Sequence, residues 1–178
     1  ERENGFDGRM TIYPEEVAYH YRHAARRDDA PGKNLSVVFR ATASALAACE
    51  GKLPVPVAAL FTGLPGSGRP FVTALIEAGG RQTDAASITE LFRTYARTVI
   101  RPVVGIYLLY GIGLEAHQQN TSVVFDADNR AQSIVVRDFG DGRSFGPLLE
   151  SRGLSIEPYV NPPILPTVFR DDIEPVRT

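Results

Sequence analysis

Glu115, His117, Gln119 and Asn120 fall within six residues of one another, and Asp138 follows after a gap that a β-hairpin would close. Glu115 and Asp138 offer carboxylate oxygens. Gln119 and Asn120 offer carbonyl oxygens or amide donors, and His117 can donate to a phosphate or to a developing oxyanion. Such a set suits a hard cation bound together with phosphate oxygens, since magnesium takes one or two carboxylates and completes its shell with neutral oxygens, water and phosphate. In an extended chain Glu115, His117 and Gln119 share one face, because side chains repeat every second residue. A polar loop ending in Asn, then a hairpin, then Asp-Phe-Gly parallels the kinase arrangement in which an Asn and a following Asp hold magnesium on ATP.

The flanking sequence says how these residues are positioned. Gly111 and Gly113 interrupt an apolar run and end any helix that reaches them. Thr121 to Phe125 and Ser133 to Val136 are β-branched and apolar, and DADNR between them is turn chemistry. A hairpin over these residues returns Asp138 beside Glu115 to Asn120. Upstream, Ser87 and Glu90 have the spacing of a capping box. Ile88, Leu91, Phe92, Tyr95, Val99 and Ile100 recur at helical spacing, and the pattern continues to Tyr110. Pro102 is expected to kink or split that helix.

Earlier segments carry weaker signals. Pro14 with Glu15 and Glu16 suggests a helix start, and Glu15 to Arg27 is expected to be helical. Its His20 and His23 read as surface or packing residues. Arg26 to Asn34 reads as a loop, and Leu35 to Arg40 as a strand. Ala41 to Gly51 fits helix or loop, Pro54 and Pro56 keep their stretch extended, and Val57 to Phe61 fits a strand or short helix. Gly63 and Gly68 have phosphate-loop spacing, but Arg69 and Pro70 stand where lysine and a hydroxyl are needed. A glycine-proline turn before a helix over PFVTALIEAGG is the better reading. After Gly140 the chain reads as loop, short helix and an extended, proline-rich tail.

Composition bounds the classes. The chain has 178 residues, 43% hydrophobic and 22% charged, with net charge −2. That favours a folded core and gives no global electrostatic case for nucleic acid or an anionic membrane. A single cysteine, Cys49, excludes an internal disulfide and fits a reducing, cytoplasmic compartment. No apolar run reaches transmembrane length, and ERENGFDGRM is no signal peptide. This abrupt start reads as part of something longer.

YGIGLEAHQQNTSVVFD followed by VVRDFG closely resembles the IucA/IucC family of siderophore synthetases. LFRTYARTVIRPVVGIYLLYGI resembles the helix before that motif, and LSVVFRA and ALFTGLP fit more loosely. The similarity covers about Pro70 to Gly140. It implies an α+β fold with an antiparallel hairpin packed on helices, part of a palm-like region. The implied layout is one partial domain over 1–178: a mostly helical 1–110 with short strands, an ATP and magnesium loop and hairpin at 111–140, and an extended 141–178.

The implied activity is an ATP-dependent ligase that adenylates a citrate-like carboxylic acid. An amine, hydroxylamine or alcohol then attacks, with release of AMP and pyrophosphate. The resemblance places Glu115, Gln119 and Asp138 near Mg2+ and the ATP phosphates. His117 and Asn120 then contact the nucleotide, with His117 stabilising the transition state. It also suggests a homodimer. The family's upstream Ser/Thr- and Arg-containing nucleotide motif and its His-Pro segment with a lysine are not found in this chain, so part of the ATP site must lie elsewhere. Two other classes compete: a kinase-like phosphotransferase, weakened because HQQN lacks a base Asp, and a non-catalytic module. Arg137 is expected to point away from Asp138's face.

Overall fold

The computed structural model describes residues 8–13, 15–21, 35–40, 51–140, 142–157, 160–161 and 166–177. Pro14, residues 22–27, the rest of the loop to Asn34, Ala41 to Glu50, His23 and Cys49 lie outside them. In chain order the elements are β1 (Met10–Ile12), β2 (Glu15–His20), β3 (Ser36–Arg40), β4 (Leu53–Pro56), α1 (Val57–Leu60), α2 (Phe71–Ala78), α3 (Ala85–Tyr110), β5 (Ile112–Gly113), β6 (Thr121–Phe125), β7 (Ala131–Val136), β8 (Arg143–Phe145), α4 (Gly146–Ser151), β9 (Val168–Phe169) and α5 (Glu174–Arg177). The fold is mixed α+β. Its main sheet has the order β1-β7-β6-β4, antiparallel except for the β1–β7 pair. Beside it are a β2–β3 hairpin and a three-stranded β5-β8-β9 sheet.

The central hairpin forms where alternation of β-branched residues demands it. Thr121 pairs with Val136 and Val123 with Ile134. Asp126 fixes the turn: its carboxylate accepts from the backbone N–H groups of Asp128 and Arg130. Asn129 takes the left-handed conformation, which Asn tolerates better than most residues. One sheet face carries Val123, Phe125, Ile134 and Val136 to a core shared with Val55, Leu60, Leu75 and the inner side of α3. The other face carries Val124 and Val135, packed against Tyr13. Pro54 and Pro56 are tolerated because β4 is an edge strand of this sheet.

The long helix differs from expectation in two ways. It is one unbroken 26-residue helix through Pro102. Proline removes one backbone hydrogen bond, but Val99, Val103 and Ile106 on either side pack onto the sheet and hold the register. Its cap is Asp84, whose carboxylate accepts from the Ser87 N–H at 2.8 Å. Ser87 is therefore already inside the helix, and Glu90 pairs with Arg93 instead. Gly111 ends the helix in the left-handed conformation, as the sequence suggests.

That cap makes stability pH-dependent. The Ser87 backbone N–H beside it holds the Asp84 carboxyl below the usual aspartate range. A depressed folded value means a contribution present above the unfolded pKa and lost as pH falls through the folded one. Asp84→Asn, which still caps, is expected to flatten the acid limb of a Tm-against-pH curve below about pH 4 and to leave neutral stability nearly unchanged.

Two other segments depart from the sequence reading. Glu15–His20 is a strand, not the start of a helix: it pairs antiparallel with β3, and its alternating Val17 and Tyr19 suit a ladder. The tail is not wholly extended. Val168 and Phe169 pair with β8, and α5 brings buried Val176 back over Gly113. Gly63 to Pro70 is a closed turn, with Leu64 and Arg69 hydrogen-bonded across it.

Candidate functional site

The HQQN turn is held from every side. The His117 carbonyl accepts from the N–H groups of Asn120 and Thr121, and the Gln118 carbonyl from Ala58 N–H at the start of α1. The Gln119 carbonyl accepts from Arg137 Nε at 3.0 Å, and the Asn120 carbonyl from Arg137 N–H at 2.9 Å. All four carbonyls of residues 117–120 thus have donors. The side chains stand on a preorganised platform rather than a loose loop, which is what precise placement of charge requires.

Within the platform, His117 Nδ1 accepts from Gln119 N–H at 3.2 Å, and His117 Nε2 lies 3.2 Å from the Asn120 amide. An imidazole whose Nδ1 accepts must, when neutral, carry its proton on Nε2. Asn120 then has to present its oxygen to that N–H, which assigns the amide orientation. His117 is exposed, whereas Asn120 is buried.

Gln119 and Asn120 line a cavity of about 320 Å3 on the sheet face away from α3. Tyr13, Ser122, Val135 and Arg137 from the main sheet side, Val38 and Arg40 from β3, and the two prolines of β4 complete its wall. Alternation explains Arg137. Val136 points to the core, so Arg137 and Val135 point the other way, beside Asn120 and Ser122. Arg137 Nε is spent on Gln119, but its terminal nitrogens have no partner among the described residues. Arg40 binds Glu15 through Nη2, while its Nε is buried without a hydrogen-bond partner. An orphaned guanidinium donor beside a second guanidinium and two amides is a cradle for an oxyanion. Arg40 carries no functional signal in the sequence, and Arg137 enters there only as a neighbour expected to point away from Asp138's face. The register that places Arg137 opposite Asn120 was the available signal.

Glu115 stands elsewhere. It lines a second cavity of about 480 Å3 with Val103, Val104, Tyr107, Leu114, Arg143 and Arg177. The extended-chain expectation fails because residues 118–120 turn, so the alternation that linked Glu115 to Gln119 is lost. Asp138 directly follows the residue paired with Asn120, as the hairpin predicts. It adopts φ 64°, which takes the chain out of the strand. Neither the Glu115 nor the Asp138 carboxylate has a hydrogen bond or ion pair among the described residues. By type, these free carboxylates suit magnesium. By placement, the structure does not gather Glu115 and Gln119 in one cavity, and among the described residues no group of three or more His, Cys, Asp and Glu collects.

A family model described as ferric iron reductase FhuF-like transporter matches residues 89–178, half of the chain. The chain belongs to the FhuF-like family. The FhuF-like match begins within α3 and spans the whole platform and hairpin. The chain is also 49% identical over 170 residues to the uncharacterized protein y4xN of Sinorhizobium fredii, covering 96% of this chain but 27% of y4xN. Among solved structures it is similar to the petrobactin biosynthesis protein AsbB from Bacillus anthracis, with TM-score 0.70 at 19% identity over 96% of this chain and 28% of AsbB. ATP-bound aerobactin synthetase IucA from Klebsiella pneumoniae aligns with TM-score 0.62 at 18% identity, over 90% of this chain and 28% of IucA. IucC from the same organism gives 0.60 at 22%, over 82% and 25%. These likenesses show a shared fold. The chain spans about a quarter of the length of these relatives. Among the described residues no helix is long and apolar enough to cross a membrane.

Proposed function

We propose that this chain is part of an ATP-dependent ligase of siderophore assembly, and that the Arg137 cavity holds the nucleotide's phosphates. The carrying observation is the platform itself: four residues with every carbonyl satisfied, presenting Asn120 and Gln119 beside two guanidiniums, one with an orphaned donor. The fold shared with an ATP-bound aerobactin synthetase supports the reading.

In this reading a carboxylate oxygen of a citrate-like acid attacks the α-phosphorus of ATP, and pyrophosphate leaves. An amine or hydroxylamine nitrogen then attacks the acyl carbon, loses its proton, and AMP departs. Arg137 and Arg40 neutralise phosphate charge. The growing oxyanion takes the place of the Asn120 oxygen as acceptor of the His117 Nε2–H, and the Asn120 amide N–H donates beside it. Glu115, which lines the other cavity, does not join Gln119 around one ion; by type, Gln119 and Asp138 would meet magnesium, which when bound would supply further charge neutralisation to the phosphates. A cytoplasmic setting and a homodimer belong to the same proposal, as does completion of the ATP site by a region outside this chain.

Arg137→Gln in the full-length protein is expected to weaken ATP binding about tenfold or more, because it removes a charge-assisted pair. Titration calorimetry measures this, and pyrophosphate release over a panel of carboxylic acids with an amine identifies the reaction. ADP in place of AMP and pyrophosphate would establish the phosphotransferase; unchanged ATP affinity would remove Arg137 from the site. A ferric-reductase reading follows from the family's description. Residues 89–178 contain no cysteine, so this stretch offers no thiolate to a redox iron–sulfur centre.

A further inference from the structure

A second basic cavity lies on the opposite face of the main sheet, and the ligase reading makes no use of it. Arg9, Arg97, Thr98, Arg101, Pro102 and Gln132 enclose about 280 Å3 between α3 and the β1 edge. Arg97 and Arg101 are four apart on α3 and so lie side by side. Arg9 enters from the residue before β1, whose carbonyl accepts from Ile134 N–H at 2.9 Å. Gln132 stands on β7 near the Asp126 turn, at the far end of the hairpin from Asn120 and Arg137.

None of the three guanidiniums has a hydrogen bond or ion pair among the described residues. This contrasts with the rest of α3, where Arg93 is paired with Glu90. The carboxylate that hydrogen-bonds Gln132 of this cavity, Asp126, is committed to its own turn: it accepts from Asp128 and Arg130 N–H groups as well as from Gln132 Nε2. Three like charges around one concavity repel one another, and a bound anion relieves that repulsion. The backbone frame is fixed at this point. Thr98 Oγ1 donates to the Ala131 carbonyl at 3.3 Å, tying α3 to β7. Guanidinium forks match the planar, multiply charged oxygens of carboxylates and phosphates.

We infer that Arg9, Arg97 and Arg101 form a second anion site for a compact multivalent oxyanion, separate from the Arg137 cavity. The volume exceeds the needs of a single chloride and suits an ion of the size of pyrophosphate or a tricarboxylate. Because the three side chains are exposed, their charges can be removed without disturbing the core.

The test is calorimetric titration of the full-length protein with inorganic pyrophosphate and, separately, with citrate. It is run on the wild type, on Arg97→Gln/Arg101→Gln and on Arg137→Gln. The double variant is expected to lose one class of anion binding, with affinity reduced at least tenfold and the wild-type term weakening as salt rises. ATP binding should persist in it. Arg9→Gln alone should reproduce part of the loss with an unchanged melting temperature. The anion that binds more tightly separates a phosphate source from a carboxylate source. Identical isotherms for wild type and double variant, or no binding of either anion, would overturn the site. Failure of the ligase reading shows differently, as loss of the ATP arm with this arm intact.

Discussion

His117→Ala in the full-length protein is expected to lower turnover on the order of a hundredfold or more, as removal of a preorganised donor to developing charge typically does. Asp138→Asn is expected to do the same. The structure refines what the alanine variant would report, because His117 has two jobs. Its Nδ1 accepts the Gln119 N–H and so helps hold the turn. Its Nε2 faces Asn120 and carries the proton that could be donated. His117→Asn separates them: an Asn side-chain oxygen accepts the N–H two residues on, as in an Asx-turn, but supplies no Nε2–H. A catalytic donor predicts that His117→Asn and His117→Ala are equally impaired in kcat. A turn-holding role predicts that Asn rescues. Near-normal acyl-adenylate formation in His117→Ala and Asp138→Asn would contradict both assignments.

This distinction shows which features local pattern could announce. The hairpin, the Gly111 stop and the α2 helix are local decisions, made by β-branched runs, turn residues and a glycine at positive φ, and each was legible. The register even carried the information that Arg137 opposes Asn120. What the pattern concealed were features decided at a distance. Glu15–His20 looks like a helix start from Pro14 and two acids, yet a ladder to β3 overrides that weak propensity. Arg40 enters the anion cavity only because the β2–β3 hairpin sits beside the main sheet, which no spacing within either segment reveals. Helix α3 survives Pro102 because contacts on both sides outweigh one missing hydrogen bond.

The candidate site illustrates the same limit. Glu115 and Gln119 are four residues apart, and strand geometry would align them. A single turn at residues 118–120 sends one toward Arg143 and Arg177 and the other toward Arg40 and Arg137. Proximity in sequence supplied the residue types, and the turn decided which of them share a cavity.

The other large effect concerns what keeps that platform in place. Phe125→Ala is expected to destabilise the chain by about 3–5 kcal/mol, the usual cost of emptying a large buried aromatic. Phe125 is 1% exposed and packs with Val55, Val57, Leu60, Leu75 and Val123. It closes the strand that begins one residue after Asn120, and Val57 and Leu60 in the same cluster belong to α1, whose Ala58 N–H holds the Gln118 carbonyl. A cavity at Phe125 therefore loosens β6 and α1 together, the two supports of the turn. Urea denaturation should show a lower midpoint with little change in m-value, and amide exchange should accelerate at Ala58 and Asn120 as well as within β6. Phe92 provides the control. It stacks on Phe61 at 5.9 Å but is 42% exposed, so Phe92→Ala is expected to cost no more than about 1.5 kcal/mol. Equal losses for the two variants would mean that the aromatic contact, and not the buried volume beneath the hairpin, is what stabilises this region.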